Sequence, residues 1–195
     1  MLMQLSWSHK LFLRVNGEVG KRRWLDLLMI FCARWLIYVE AMVYITVLYF
    51  YTVFGSGLAS GAFFGALWIS IFFILTSYAI SLLIGMVWKH RRPAAELPNV
   101  KTALRTLGTW KSFPSDHTLI SLLIALLAVV MGFVPIASAI LFTMAMFIAV
   151  SRVYVGVHYP RDVIGGWVLA ILASPLFLDL VLAILIRLGL VEWRI

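Results

Sequence analysis

The residues able to do chemistry gather in three short stretches of an otherwise apolar chain of 195 residues. They are Arg92-Pro93, Phe113-Pro114-Ser115-Asp116-His117, and Ser151-Arg152 with His158 and Asp162. Each suits a phosphate. An arginine guanidinium stays charged and presents a planar fork of donors to phosphate oxygens, so Arg92 and Arg152 can clamp one phosphoryl group. Ser115 follows a proline at a helix start, where its hydroxyl and the free N–H groups of the first turn make an anion site. His158 precedes Asp162 by four residues. A carboxylate there can accept the Nδ1 proton, which leaves Nε2 unprotonated and nucleophilic. His117 is then free to protonate a leaving oxygen. Taken singly these features are weak. An Arg-Pro at the end of a membrane span usually snorkels to the interface, and an isolated Ser-x-His or His-x3-Asp is usually a cap or a local hydrogen bond. No His-x3-His or carboxylate-rich spacing points to a metal site, and no cofactor is expected. Convergence at one place gives the clusters their weight.

Composition says what must position them. Hydrophobic residues make up 64% of the chain and charged residues 12%, more apolar surface than a soluble globule of this size can hide. A single cysteine, Cys32, excludes a disulfide scaffold. The formal net charge of +8 suits anionic headgroups or a phosphorylated substrate; nucleic acid is not expected, because the chain is committed to lipid.

The apolar runs predict an all-α, multi-pass transmembrane bundle of about five spans with an N-terminal interfacial helix. Residues 1–23 read as an interfacial or loosely ordered arm rather than a signal peptide, since Lys10 and Arg14 break the run; residues 24–195 form the membrane domain. A short interfacial helix (24–34) leads into a span at 35–54. Residues 41–88 carry no charge, and GSGLASG (55–61) turns the chain into a second span at about 62–88. Residues 118–151 are also uncharged and make two shorter spans, with Gly132 and Pro135 at the turn. The last span runs from about 162 to 186. All must be helical, because hydrocarbon satisfies no open backbone groups. Parity then places the 89–116 and 152–161 loops and the N-terminal arm on one membrane face.

FPSDH and SRVYVGVHYPRD, preceded by RRP, resemble the signature motifs of the type 2 phosphatidic acid phosphatase superfamily: Lys-x6-Arg-Pro, Pro-Ser-x-His, and Ser-Arg-x5-His-x3-Asp. The last two are matched in full, and the resemblance extends over about 24–186. The aspartate of FPSDH and the stretch VNGEVGKRRWLDLLMIFCARW look most like bacterial undecaprenyl-diphosphatases. The resemblance implies metal-independent hydrolysis of a lipid diphosphate or phosphate through a phosphohistidine. His158 is then the nucleophile, Asp162 its orienting partner and His117 the acid and base. Arg92, Ser115, Asp116, Arg152 and Lys89 make up the phosphate-binding set. Phosphatidylglycerophosphate, phosphatidic acid and lipid A phosphate are the alternative substrates, and a non-catalytic lipid-binding protein is the rival class.

The chain departs from the pattern where the family lysine belongs, at Gly85. Lys89, one turn later on the same helix face, is the first candidate to replace it, and Lys111 the second. Glu40 is expected to face the bundle and hydrogen bond to a hydroxyl or backbone group, and Gly165-Gly166 to let helices approach closely. Tyr44, Tyr49, Phe50 and Tyr51 read as an interfacial belt. Lys101 and Arg105 read either as solvated or as contacts for a distal phosphate. Orientation draws two opposed expectations. Twelve lysines and arginines besides Arg152 fall on the motif face and two on the other, which by the positive-inside rule makes the motif face cytoplasmic. The resemblance puts the site outside the cell membrane, and a phosphate site is itself basic, which biases the count. The outward orientation is therefore preferred.

Overall fold

A computed structural model describes residues 6–55, 61–104 and 111–187. Arg105, Arg194 and most of the expected 55–61 turn lie outside the described residues. Among the described residues the fold is wholly helical: α1 (Trp7–Asn16), α2 (Arg23–Arg34), α3 (Leu36–Phe50, continued by a π turn over Tyr51–Gly55), α4 (Gly61–Val87), the single turn α5 (Pro93–Glu96), α6 (Asp116–Val130), α7 (Pro135–Tyr154) and α8 (Pro160–Arg187).

The helices are inside-out relative to a soluble bundle. Met42, Phe64, Trp68, Phe72 and Leu75 point outward from α3 and α4, while Ser70, Ser77 and Ser81 are buried. Lipid is the solvent that makes this favourable. Three described helical stretches are long and apolar enough to cross a bilayer: Leu36–Phe54, Ala62–Val87 and Pro135–Tyr154. α6 has only 15 residues, but it is the centre of the bundle and packs against α3, α4, α7 and α8. Leu119, Leu123, Leu127 and Leu141 close that core with Tyr44, Phe73 and Ala170.

The break between α2 and α3 falls at Trp35, as the interfacial-helix expectation requires. α2 buries Met29, Cys32 and Ala33 and turns Trp24, Leu27 and Phe31 outward, the pattern of a helix lying in the interface.

Two expectations are corrected here. Residues 6–23 are packed onto the bundle and are not a loose arm. Ser6 caps α1, and Phe12 packs wholly buried against Leu97, Val153, Tyr159 and Val163. The Asn16 side chain donates to the carbonyls of Lys101 (2.8 Å) and Tyr154 (2.9 Å) and accepts from the Lys101 N–H (3.0 Å). One buried amide thus fixes α1 to two loops of the motif face. Tyr44 does not belong to an aromatic belt either. It shares a face of α3 with Glu40 and Leu48, is buried, and bonds Ser70 Oγ at 2.8 Å. Tyr49 and Phe50 lie on the other side of the helix and are exposed.

The close approach expected at Gly165-Gly166 is present. A Cβ on Gly166 would come within 2.4 Å of Thr118 Oγ1 and 2.7 Å of the Ser115 carbonyl oxygen. α8 therefore lies directly against the first turn of α6. Gly166→Ala is expected to cost about 1–3 kcal/mol, because the carbonyl cannot rotate away. A thermal melt in detergent measures this; an unchanged midpoint would contradict so close a contact.

Candidate active site

The three sequence clusters meet where α6, α7 and α8 end on one face. The loop from α7 to α8 is closed by Gly156, whose φ of 84° lies in the left-handed region and where a Cβ would come within 2.7 Å of the Lys101 carbonyl oxygen. The turn folds His158 back over the helix end, with its N–H directed at the Arg152 carbonyl (3.3 Å).

His158 is nearly fully buried. Its Nδ1 lies 2.9 Å from the Ser112 carbonyl oxygen. A carbonyl only accepts, so Nδ1 carries the proton and Nε2 keeps its lone pair. This differs from the expectation that Asp162 takes the Nδ1 proton. Asp162 Oδ2 stands 3.8 Å from Nδ1, beyond hydrogen-bond range. That oxygen instead accepts from Ser112 Oγ (2.5 Å) and the Tyr159 N–H (2.9 Å). The Asp162 carbonyl also receives the Ser115 N–H at 3.0 Å. The carboxylate thus positions the histidine through its neighbours and supplies a negative field beneath it.

Ser112 is the positioning residue that sequence reasoning missed. Its carbonyl holds His158, its hydroxyl holds Asp162, and its N–H donates to the His90 carbonyl at 3.0 Å. No sequence signal sets it apart from the chain's other serines. Ser112→Ala keeps the carbonyl and loses the hydroxyl, so kcat is expected to fall roughly ten- to a hundredfold, the range for a hydrogen bond to a charged group. Steady-state kinetics that match wild type would dismiss the bridge.

Burial draws the His158 pKa below its ordinary value, with the charge of Asp162 opposing and Arg152 and Arg92 adding to the shift. The imidazole therefore stays neutral as pH falls through ~6.5. The acid limb of kcat/KM in the free enzyme is expected below that value. An acid limb centred above pH 6.5 would conflict with a buried neutral imidazole. The unfolded chain takes up this proton first, so His158's share of stability is present above ~pH 6.5 and is lost as pH falls toward the folded value.

Ser115 is fully buried at the start of α6, yet its hydroxyl makes no capping bond and has no partner among the described residues. That departs from a simple cap and leaves Oγ open to a ligand. Arg152 is anchored at one end, Nη1 donating to the Ala33 carbonyl at 2.7 Å, while its buried Nε has no partner among the described residues. Arg92 donates from Nε to the Lys111 carbonyl at 3.1 Å. Burial draws its pKa down, and the charges of Asp116 and Asp162 oppose this. His117 is partly exposed, one residue into α6, and lies within the fields of Arg152, His158 and Arg92. Asp116 accepts from Ser81 Oγ at 2.6 Å and forms an ion pair with Lys111. Its carboxylate serves a cation, not a phosphate directly. The Ser151 hydroxyl is spent on the Ile148 carbonyl at 2.6 Å.

The helix-face argument for Lys89 does not hold. α4 ends at Val87, so Lys89 is past the helix and exposed. Lys111 is the lysine that packs against Gly85. Lys101 reaches the Val19 carbonyl at 2.6 Å, which ties the loop to the end of α1. Glu40 is fully buried and faces the bundle as expected, toward the Ser121 hydroxyl of α6. No group of three or more histidine, cysteine or acidic side chains among the described residues is placed to hold a metal ion.

The sequence profile of the PAP2 superfamily matches residues 66–185, more than half of the chain and all three motif clusters. The chain belongs to the PAP2 superfamily. Among curated PAP2-like relatives, the bacitracin transport permease protein BcrC of Bacillus licheniformis is 33% identical over 92 residues, 47% of this chain and 44% of that protein. The undecaprenyl-diphosphatase of Sulfolobus acidocaldarius is 35% identical over 105 residues, 49% of this chain and 48% of that protein. The matched segments thus span about half the length of these relatives. The fold is that of the crystal structure of Aquifex aeolicus LpxE, with a TM-score of 0.70, 24% identity, and coverage of 92% of this chain and 99% of that one.

Proposed function

We propose that the protein removes the terminal phosphate of a membrane lipid diphosphate, undecaprenyl diphosphate, through a phosphohistidine on His158. The observation that carries this reading is the His158 ring itself: buried, locked by the Ser112 carbonyl with Nε2 free, and set within the fields of Arg92 and Arg152.

The proposed steps are these. Nε2 attacks phosphorus as the bond from phosphorus to the lipid-side oxygen breaks. His117 gives that oxygen a proton. Water then attacks the phosphohistidine with His117 as base, the N–P bond breaks, and inorganic phosphate leaves. Arg92, Arg152, Ser115 Oγ and the first-turn N–H groups of α6 stabilise charge on the equatorial oxygens, the largest contribution expected in such a transfer. The site lies at the helix ends, so the isoprenoid tail remains in the bilayer. An apolar groove of about 510 Å³ between α2 and α7, lined by Leu28, Leu36, Ile140 and Phe147, gives that tail a track. Cys32 lines it, and the carbonyl of the next residue, Ala33, accepts from Arg152.

The test is phosphate release by purified full-length protein from undecaprenyl diphosphate, set against phosphatidylglycerophosphate, phosphatidic acid and lipid A phosphate. Preference for one of the others would reassign the substrate. Release from none would leave a lipid-binding protein. Excess EDTA is expected to leave turnover largely intact and vanadate to inhibit; loss of activity that magnesium or zinc restores would refute the metal-free mechanism. Facing outward is part of the same proposal. A cysteine placed at the exposed Lys101 should react with a membrane-impermeant thiol reagent in intact cells, and protection until lysis would reverse the orientation.

A further inference from the structure

We propose that Lys111 is the third cation of the phosphate site and that Gly85 exists to let its stem cross α4; the inference rests on the phosphatase reading above. Lys111 leaves a loop, not a helix, and only 7% of it is exposed. A Cβ on Gly85 would fall 2.7 Å from its Cε and 2.8 Å from both its Cδ and Cγ. Three consecutive carbons of the stem thus occupy the volume that any side chain at position 85 would need.

The ammonium is brought by this path to the mouth of the site. Nζ donates to Ser81 Oγ at 3.0 Å and pairs with Asp116, the residue before His117. Ser81 in turn donates to Asp116 Oδ1 at 2.6 Å, so the three groups fix one another. An ammonium has three donors. Two are used, and among the described residues no oxygen takes the third. The Tyr78 ring centroid lies 5.9 Å from Nζ, and an aromatic face supplies no oxygen acceptor. The Lys111 backbone is tied to the site as well, because its carbonyl receives Arg92 Nε at 3.1 Å. Arg92 and Arg152 both lie within the field of Asp116, which places the ion pair beside the arginine clamp. The open N–H of Lys111 is therefore available to a phosphate oxygen that the two arginines do not serve. Asp116 holds the lysine in place and limits repulsion among three cations while no ligand is bound.

The experiment exchanges the two positions. Full-length protein in detergent is titrated with orthovanadate, and kcat/KM is measured on undecaprenyl diphosphate. Lys111→Met keeps an unbranched stem across Gly85 and loses the charge. It is expected to bind vanadate at least tenfold more weakly and to lose ~10²–10³-fold in kcat/KM, the scale for removing one charge-stabilising donor. Gly85→Lys alone is expected to be impaired, since its Cβ collides with the Lys111 stem. Gly85→Lys combined with Lys111→Ala places an ammonium in the same volume from the helix side. The pair is expected to recover at least tenfold over Lys111→Ala. Unchanged vanadate binding by Lys111→Met overturns the proposal, and so does a folded exchange variant no more active than Lys111→Ala. If the single variants do not fold, the exchange variant is judged against wild type: vanadate binding within tenfold of wild type supports the proposal, and a folded exchange variant that binds no vanadate overturns it. Wild-type protein that binds vanadate but hydrolyses no lipid phosphate overturns the phosphatase reading instead, and vanadate binding still judges Lys111.

Discussion

His158→Ala is expected to abolish phosphate release, lowering turnover by roughly 10⁴–10⁶-fold, the range seen when a nucleophile or its base is removed from a covalent mechanism. The loss is chemical rather than structural. The ring lies in a loop, and its one strong contact is Nδ1 to the Ser112 carbonyl. Removing it leaves that acceptor unpaired, a cost of about 1–3 kcal/mol. The fold should survive that, because the bundle core around α6 lies elsewhere. Two measurements check this. Single-turnover reaction with labelled lipid diphosphate should trap a phosphoenzyme in wild type, stable to alkali and labile to acid, and none in the variant. Size-exclusion and thermal profiles in detergent should match. Turnover near the wild-type level would exclude His158 as nucleophile, and a trapped phosphoenzyme in the variant would move the nucleophile elsewhere.

Asp162→Asn is expected to have the next largest effect. Phosphoryl transfer to Nε2 leaves a positive charge on the imidazole, and a carboxylate 3.8 Å from Nδ1 stabilises it. At an effective dielectric constant of about 20 such a pair is worth roughly 4 kcal/mol, or about 10³ in rate. The asparagine oxygen can still accept from Ser112 Oγ and the Tyr159 N–H, so the loop keeps its shape. The amide NH2 then replaces Oδ1 opposite Arg161, whose Nε stands 3.7 Å away and is itself a donor, so that ion pair is lost as well. The expected signature is a fall in kcat with little change in KM. Because the Asp162 charge raises the His158 pKa, its removal should also move the acid limb of kcat/KM to lower pH. A variant that kept its acid limb in place while losing activity would show a structural defect rather than loss of this field.

Hydrophobicity and punctuation in the sequence were enough to determine the membrane bundle. Charge-free runs, the Gly132-Pro135 turn and the Trp35 break each appear within a few residues of where the pattern puts them, because helix length and lipid exposure are local properties. Residue types and motif spacing likewise marked His117, His158, Asp162, Arg92, Arg152 and Ser115 as the candidate site. α1 was harder. Its apolar face is short, and its docking depends on Phe12 and Asn16 finding partners more than 80 residues away. Tyr44 was misread for a related reason: an aromatic run shows where rings occur, but helix rotation decides which of them face the core. The tertiary structure alone decided how the site is wired. Whether the His158 proton goes to Asp162 or to the Ser112 carbonyl is a matter of about an ångström between segments 46 residues apart. Whether Lys89 or Lys111 lies over Gly85 depends on where α4 ends and how the 89–116 loop folds back. Hydrogen-bond choice is set by short distances across the chain, and periodicity along the chain carries no information about them.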